Sequence, residues 1–347
     1  MKRWSTLYAI CMVVLLAGLW ATDSAIAESA PQMTALEKKL YEAAKKEGKV
    51  FWWDSQSLKE ASLFINAFTK RYPGVDVSFW EGNSYQVDEK YFAERQGGRN
   101  PVDVMQIEWY DKYKKEGLLT DLGDIVKDSG FSREFTTKEG DAVSIEHTIR
   151  GVAYNTKLVS PKDSLRSWED LLNPKWKNKI AVETNMSVFV SLTPSWGEEK
   201  IIAYLKKLAE QKPIFTEGVT HLMTLLGAGE FPIAVNVLLH RTLDMQSKGT
   251  PVAWMPISPI VDRFAPYVIA RDAPHPNAAK LYVRWLMSPE GQSLVDKVRK
   301  KGNPLPGSGT IQAKAVEQLG IKVTVVQHWG LDFKRLEDIY RKAAGGR

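Results

Sequence analysis

Short apolar runs alternate with helical periodicity through the first third of this chain, and this limits its possible folds more than any other feature. Leu36 to Glu47 has the spacing of a helix stopped by Gly48, and Lys49 to Trp53 is too brief for a helix, which predicts a strand. Ser57 precedes a second helix in which Ala61, Phe64, Ile65 and Phe68 recur at intervals of three and four, ended by Pro73-Gly74. Val75 to Trp80 predicts a second strand. Ser84 is placed as the N-cap of a helix carrying Val87, Tyr91 and Phe92, ended by Gly97-Gly98, and Pro101 to Ile107 predicts a third strand. Strands joined through helices imply a parallel sheet covered on both faces. Ligands meet such sheets beyond the carboxyl ends of the strands. Those ends are Trp53-Asp54-Ser55, Trp80 to Ser84, and Ile107-Glu108-Trp109.

A second α/β block begins near Ile149. Strands are expected at Gly151 to Tyr154, Lys179 to Val182 and Phe231 to Val237, with a helix start near Ser187 and an amphipathic run from Ile201 to Leu208. Beyond Pro259, Tyr267 to Ala270 and the helix Asn277 to Met287 look like a return to the first block. A chain that leaves a domain and returns crosses twice and therefore carries a hinge. The expected division is a leader over 1–27, a discontinuous first lobe over 28–147 and 262–347, and a second lobe over 148–261.

The leader is read from Lys2 and Arg3, the mostly apolar run Leu7 to Ala21, and the small residues of Ala25-Ile26-Ala27, with cleavage expected before Glu28. The run is short for a membrane span, which needs about 20 apolar residues. The single cysteine, Cys11, lies inside it with no small-residue lipoprotein box before it. The trimmed chain would lack disulfides, thiolate metal sites and cysteine nucleophiles. The formal charge of +6 comes from cations interleaved with acids, as in Lys59-Glu60 and Glu198-Glu199-Lys200. No basic stripe follows the pattern of a phosphate backbone, so no nucleic-acid partner is expected.

Catalytic signatures are missing from the sequence. There is no G-x-S-x-G, H-E-x-x-H, Walker loop or G-x-G-x-x-G. His147, His221, His240, His275 and His328 are not at metal-ligand spacing, and Glu198-Glu199 sits where acids favour a helix dipole.

Several segments together resemble the extracellular solute-binding proteins of ABC importers, in the branch serving iron(III), sugar phosphates, phosphonates and polyamines. They are Ala44 to Val50, Ala67-Phe68 to Tyr72-Pro73-Gly74, Pro101 to Val104, Glu116 to Leu119, Val152 to Val159, and Ala273 to Lys280 continuing to Ser288 to Gln292. The resemblance implies a type II two-lobed α/β fold. Each lobe would be a mixed, mostly parallel sheet with helices on both faces. Two hinge crossings are expected, near His147 to Val152 and near Val252 to Phe264. It implies export to the periplasm, capture of a small molecule between the lobes, and delivery by a monomer to a membrane permease. Iron-binding members use a histidine where this chain has Ser57, and a glutamate where it has Tyr85. Where they have a tyrosine pair, Asn236 to Arg241 has none. Ferric iron prefers anionic oxygen ligands, so binding in the usual iron mode is not expected.

Helix N-termini present free N–H groups that suit phosphate, phosphonate or carboxylate. Ser55, Gln56, Ser84, Asn185, Ser187 and Thr220 are the candidates there, and each could equally be a plain cap. His240 and Arg241 would add positive charge or form a solvated helix face. Trp53 and Trp109 would offer ring faces to a ligand or pack sheet against helix. Asp54, Tyr85 and Glu108 complete the set, Glu108 either receiving an amine or hydroxyl or pairing with a lysine across the cleft. No cofactor, metal or catalytic residue is called for. The favoured ligand is a small anion: a phosphonate, sugar phosphate or organic carboxylate. The alternatives are an iron(III) carrier with atypical ligands, a ligand-sensing protein, or an enzyme on the same fold.

Overall fold

The computed structural model describes residues 32–163, 165–326 and 331–346, so the expected leader lies outside the described residues. Local signals start the helices. Ser57 caps the helix Leu58–Arg71 in a capping box with Glu60, and Asn83 caps Ser84–Gln96 in a second box with Gln86. The cap of that helix is therefore Asn83, and Ser84 is its first residue. Gly48, at φ 76°, ends the helix Ala35–Glu47 in a left-handed turn that a residue with a Cβ would strain.

The strands in chain order are β1 (Lys49–Asp54), β2 (Asp76–Glu81), β3 (Val104–Gln106) and β4 (Val143–Ser144); then β5 (Thr148–Asn155), β6 (Ile180–Glu183), β7 (Ile214–Thr216), β8 (Ile233–Leu238), β9 (Val252–Trp254) and β10 (Ile260–Arg263); and finally β11 (Pro266–Ile269) and β12 (Val323–Val326). They form a five-stranded sheet in the order β2-β1-β3-β11-β4. A seven-stranded sheet runs β12-β10-β5-β8-β6-β7, with β9 also paired to β5. The sheets are more evenly mixed than the expected mostly parallel pattern. β1 pairs parallel with β2 and β3, but β11 runs antiparallel to both β3 and β4. In the larger sheet β5 is antiparallel to β8, β9 and β10. Each of these antiparallel pairs includes β5 or β11, the strands that follow a crossing.

Aromatic packing holds the smaller sheet. Trp52, fully buried, meets Tyr282 at 5.2 Å between ring centroids, and Phe68 meets Tyr282 at 4.9 Å and Trp285 at 5.5 Å. The larger sheet has a core on each face. One gathers Trp168, Phe189, Leu205 and Tyr340, the other Leu226, Val237, Trp254 and Val316.

Among the described residues the chain crosses between the sheets three times, where two crossings are expected from sequence. It passes from β4 to β5, from β10 to β11, and again between the π-helical segment Val295–Arg299 and the helix Ile311–Leu319. His147 joins all three. Its Nδ1 lies 2.6 Å from Asp262 Oδ2, its N–H donates to the Lys301 carbonyl at 2.9 Å, and Gln312 Nε2 donates to its carbonyl at 3.1 Å. The third crossing corrects the expected boundary for 262–347. Pro266 to Arg299 stays with the smaller sheet, while β12 pairs with β10 and the helix Phe333–Ala343 packs into the core of the larger. The strongly amphipathic last helix carries Phe333, Leu336 and Tyr340 on one face, and it buries that face wherever an apolar surface is open. Among the described residues, no helix is long and apolar enough to cross a membrane.

Candidate functional site

A cleft of about 560 Å³ opens between the two sheets beside the crossings. The smaller sheet supplies Ser55 from the end of β1, Ser84 from the first turn after β2, and Gln106 and Glu108 from the end of β3. Buried Asp88 holds the last of these turns, accepting the backbone N–H groups of Glu108 at 3.0 Å and Trp109 at 2.8 Å. Burial raises the Asp88 carboxyl to about 7 despite those hydrogen bonds. Ser55 donates to Gln106 Oε1 at 2.7 Å, and Gln106 passes the bond on to Glu146 Oε1 at 3.1 Å. Ser84 donates to Glu108 Oε2 at 3.0 Å, and the other Glu108 oxygen pairs with Arg263.

The floor is a charge network on the crossings. Arg299 pairs with Glu146 and lies 3.6 Å from Asp54, and Lys301 meets Glu146 at 3.1 Å. Burial pushes the Glu146 carboxyl up, but Arg299 and Lys301 outweigh it and hold it down to about 2. At Asp54 burial wins and the carboxyl is raised despite Arg299. Lys300 pairs with Asp244 of the helix Leu239–Ser247. The larger sheet adds Arg150 and Thr148 from β5, and His240 and Arg241 just after β8.

Comparison with known proteins explains this architecture. The profile of the bacterial extracellular solute-binding proteins matches residues 31–293. This chain belongs to that family. It is 25% identical, over 76% of its length and 80% of the relative's, to a Salmonella typhimurium periplasmic protein named for binding 2-aminoethylphosphonate. It is 24% identical, over 71% and 78%, to the major ferric iron-binding protein of Neisseria meningitidis. The Trichodesmium protein IdiA (FutA), solved with iron and citrate, matches the fold with a TM-score of 0.70 at 18% identity, over 85% of this chain and 99% of that one. Iron-bound HitA from Pseudomonas aeruginosa matches with a TM-score of 0.64 at 19% identity, over 85% and 99%. These structures share the two-lobed fold, and the solute-binding role follows from the family.

In this solute-binding protein the candidates Ser55, Ser84, Glu108, His240 and Arg241 line the cleft. The other expected residues stand elsewhere. Trp53 is buried against Trp80 with Lys90 over its ring, so it packs sheet to helix. Asp54 and Gln56 are buried beneath the floor, Asp54 taking the Tyr267 hydroxyl. Tyr85 and Trp109 line a separate cavity of about 500 Å³, and Trp109 stacks on Phe92. Asn185 and Ser187 turn toward each other, with Ser187 Oγ donating to Asn185 Oδ1 at 2.7 Å. Thr220 is exposed and accepts from Arg241 at 3.3 Å. His240 brings no positive charge. Burial first, then Lys301, lowers its imidazole to about 3.

Sequence reasoning missed Gln106, Glu146, Arg150, Arg263 and Arg299 to Lys301. Gln106 lies inside the expected strand Pro101 to Ile107, and Glu146 just before the expected crossing at His147. The cations looked like scattered surface charge, and no local pattern marks a lysine pair that a third crossing will carry to the cleft.

Proposed function

We propose that the cleft captures a small organic anion, and that the chain serves as the periplasmic binding component of an ABC uptake system. In this reading it is exported by cleavage before Glu28, acts as a monomer, and has no catalytic role. The supporting observation is the charge of the lining. Arg150, Arg241, Arg263, Arg299, Lys300 and Lys301 face Glu60, Glu108, Glu146 and Asp244, an excess of two cations in a concave, partly desolvated space. Neutral His240 does not alter that balance. The Salmonella relative named for an aminophosphonate fits the same chemistry.

The relatives named for iron suggest a different cargo. Among the described residues no three His, Cys, Asp or Glu side chains are grouped to hold a metal. Tyr85 is raised to about 12, by burial first and then by Glu108, which opposes tyrosinate ligation. The test is thermal unfolding of the trimmed protein with 2-aminoethylphosphonate, glycerol 3-phosphate, citrate, putrescine or ferric ion. A ligand at a hundred times its Kd stabilises by about 2.7 kcal/mol. Stabilisation by one of the anions is expected, and stabilisation by putrescine or ferric ion alone would refute the anion reading.

A further inference from the structure

We infer that Arg150 is the residue that grips the anionic group of the solute, presenting its guanidinium to two oxygens of a phosphonate, phosphate ester or carboxylate. This rests on the anionic-solute reading above and names the side chain that decides affinity within it.

A guanidinium carries five N–H donors in a planar fork. In Arg150 the described contact is Nη1 to Asn236 Oδ1 at 3.5 Å, at the outer limit of a hydrogen bond. Its Nε is buried and has no acceptor. Asn236 is committed elsewhere. Its Oδ1 accepts the Val188 N–H at 3.0 Å, and its Nδ2 donates to Glu183 at 3.0 Å and Asn185 at 2.6 Å. Among the described residues no carboxylate lies within ion-pair distance of Arg150.

The neighbouring cations differ. Arg263 has Glu108, Arg299 has Glu146 and Asp54, Lys300 has Asp244, and Lys301 has Glu146. Arg241 has only the Thr220 hydroxyl, but it is exposed and water can serve it. Arg150 is thus the cation of the lining with a buried N–H that has no acceptor and with no carboxylate in contact, Glu183 and Glu337 acting on it only from farther off. A charge held that way is unfavourable until an opposite charge completes it. Burial, and then Arg263, lower its pKa to about 10, so it stays cationic at neutral pH.

Its backbone is also held on both sides. Arg150 lies in β5, opposite Leu238 of β8 and Val261 of β10. The next residue, Gly151, admits Trp254 so closely that an added Cβ would stand 2.5 Å from the indole. A planar fork on a fixed strand is suited to bidentate recognition of an oxyanion, which a lysine cannot reproduce.

The experiment is calorimetric titration of the trimmed protein and its R150M and R150K variants with 2-aminoethylphosphonate, glycerol 3-phosphate and citrate, together with ligand-free unfolding midpoints. The three probes distinguish phosphonate, phosphate ester and carboxylate. R150M should weaken binding of the accepted anion about thirtyfold or more, as expected when one partner of a desolvated charge pair is lost. R150K should fall between R150M and wild type. Without ligand, R150M should unfold no earlier than wild type, because it removes an unpaired buried charge. Undiminished anion binding by R150M would overturn the inference and leave the anionic-solute reading standing. A clearly lowered ligand-free midpoint would make Arg150 a structural cation and also overturn it. Failure of wild type to bind any of the three anions would overturn the reading itself, and the inference with it.

Discussion

Two groups of charge border the same cleft and follow opposite rules. On the crossings, Glu146 and Asp54 lie buried, Arg299 and Lys301 are half-buried beside them, and every charge has an opposite within reach. On β5, Arg150 lines the cleft with its Nε unpaired and no acid at contact distance. A buried charge needs compensation from somewhere. Where the protein supplies it, the group ties segments distant in sequence into one hinge. Where the protein withholds it, the deficit remains for a ligand to fill. The difference suggests how to separate architecture from binding in a cleft where both use the same side chains.

The sharpest way to break this comparison is to remove the shared acid of the hinge. Glu146→Leu leaves Lys301 without its partner and Arg299 with Asp54 alone, and should cost about 3 kcal/mol in urea unfolding. A loss under about 1 kcal/mol would mean that the network is not structural. Ser84→Ala tests the binding side. Asn83 does the capping, so stability should hold, while affinity for the anion should fall about tenfold if the hydroxyl or the Glu108 it orients meets the ligand. Titration would show this directly.

His240 sharpens the comparison through pH. Its folded value of about 3 lies below the ordinary 6.5, so between those limits the unfolded chain takes up a proton that the folded chain refuses. Stability is therefore lost as pH falls from 6.5 toward 3, by up to about 1.4 kcal/mol per unit. His240→Gln should flatten that slope in unfolding curves between pH 6.5 and 4, while leaving anion affinity at pH 8 unchanged unless the imidazole itself contacts the solute. Ser187→Ala should cost about 1 kcal/mol of stability with normal affinity, because its hydroxyl serves Asn185 and it does not line the cleft. The smallest expected effect is at Tyr85. Adding ferric citrate should produce no visible tyrosinate band, and Tyr85→Phe should change nothing. A band lost in that variant would make iron the cargo.

The strands and helices were largely legible in the chain, because their signals are local. Capping boxes, glycine stops and period-2 or period-3.6 apolar spacing each act within a few residues. The expected strands at Lys49 to Trp53, Gly151 to Tyr154 and Phe231 to Val237 fall within a few residues of β1, β5 and β8. The family resemblance was legible for a related reason: its segments keep their order along the chain.

The site was only half legible. Ser55, Ser84 and Glu108 were found because they follow strand ends, and the sheet geometry alone sends such residues to the cleft. Trp53 and Asp54 follow the same rule and were misplaced, since the pleat turns alternate residues to opposite faces and the tertiary packing decides which face is covered. Arg150, Glu146 and Lys301 could not be found that way. Sequence by itself determined most of the elements and the two-lobed class. Tertiary structure alone decided the third crossing, the neutrality of His240, and which cation goes unpaired. These depend on burial and on distances between residues more than a hundred positions apart, as between Glu146 and Lys301, and no periodicity in the chain encodes such distances.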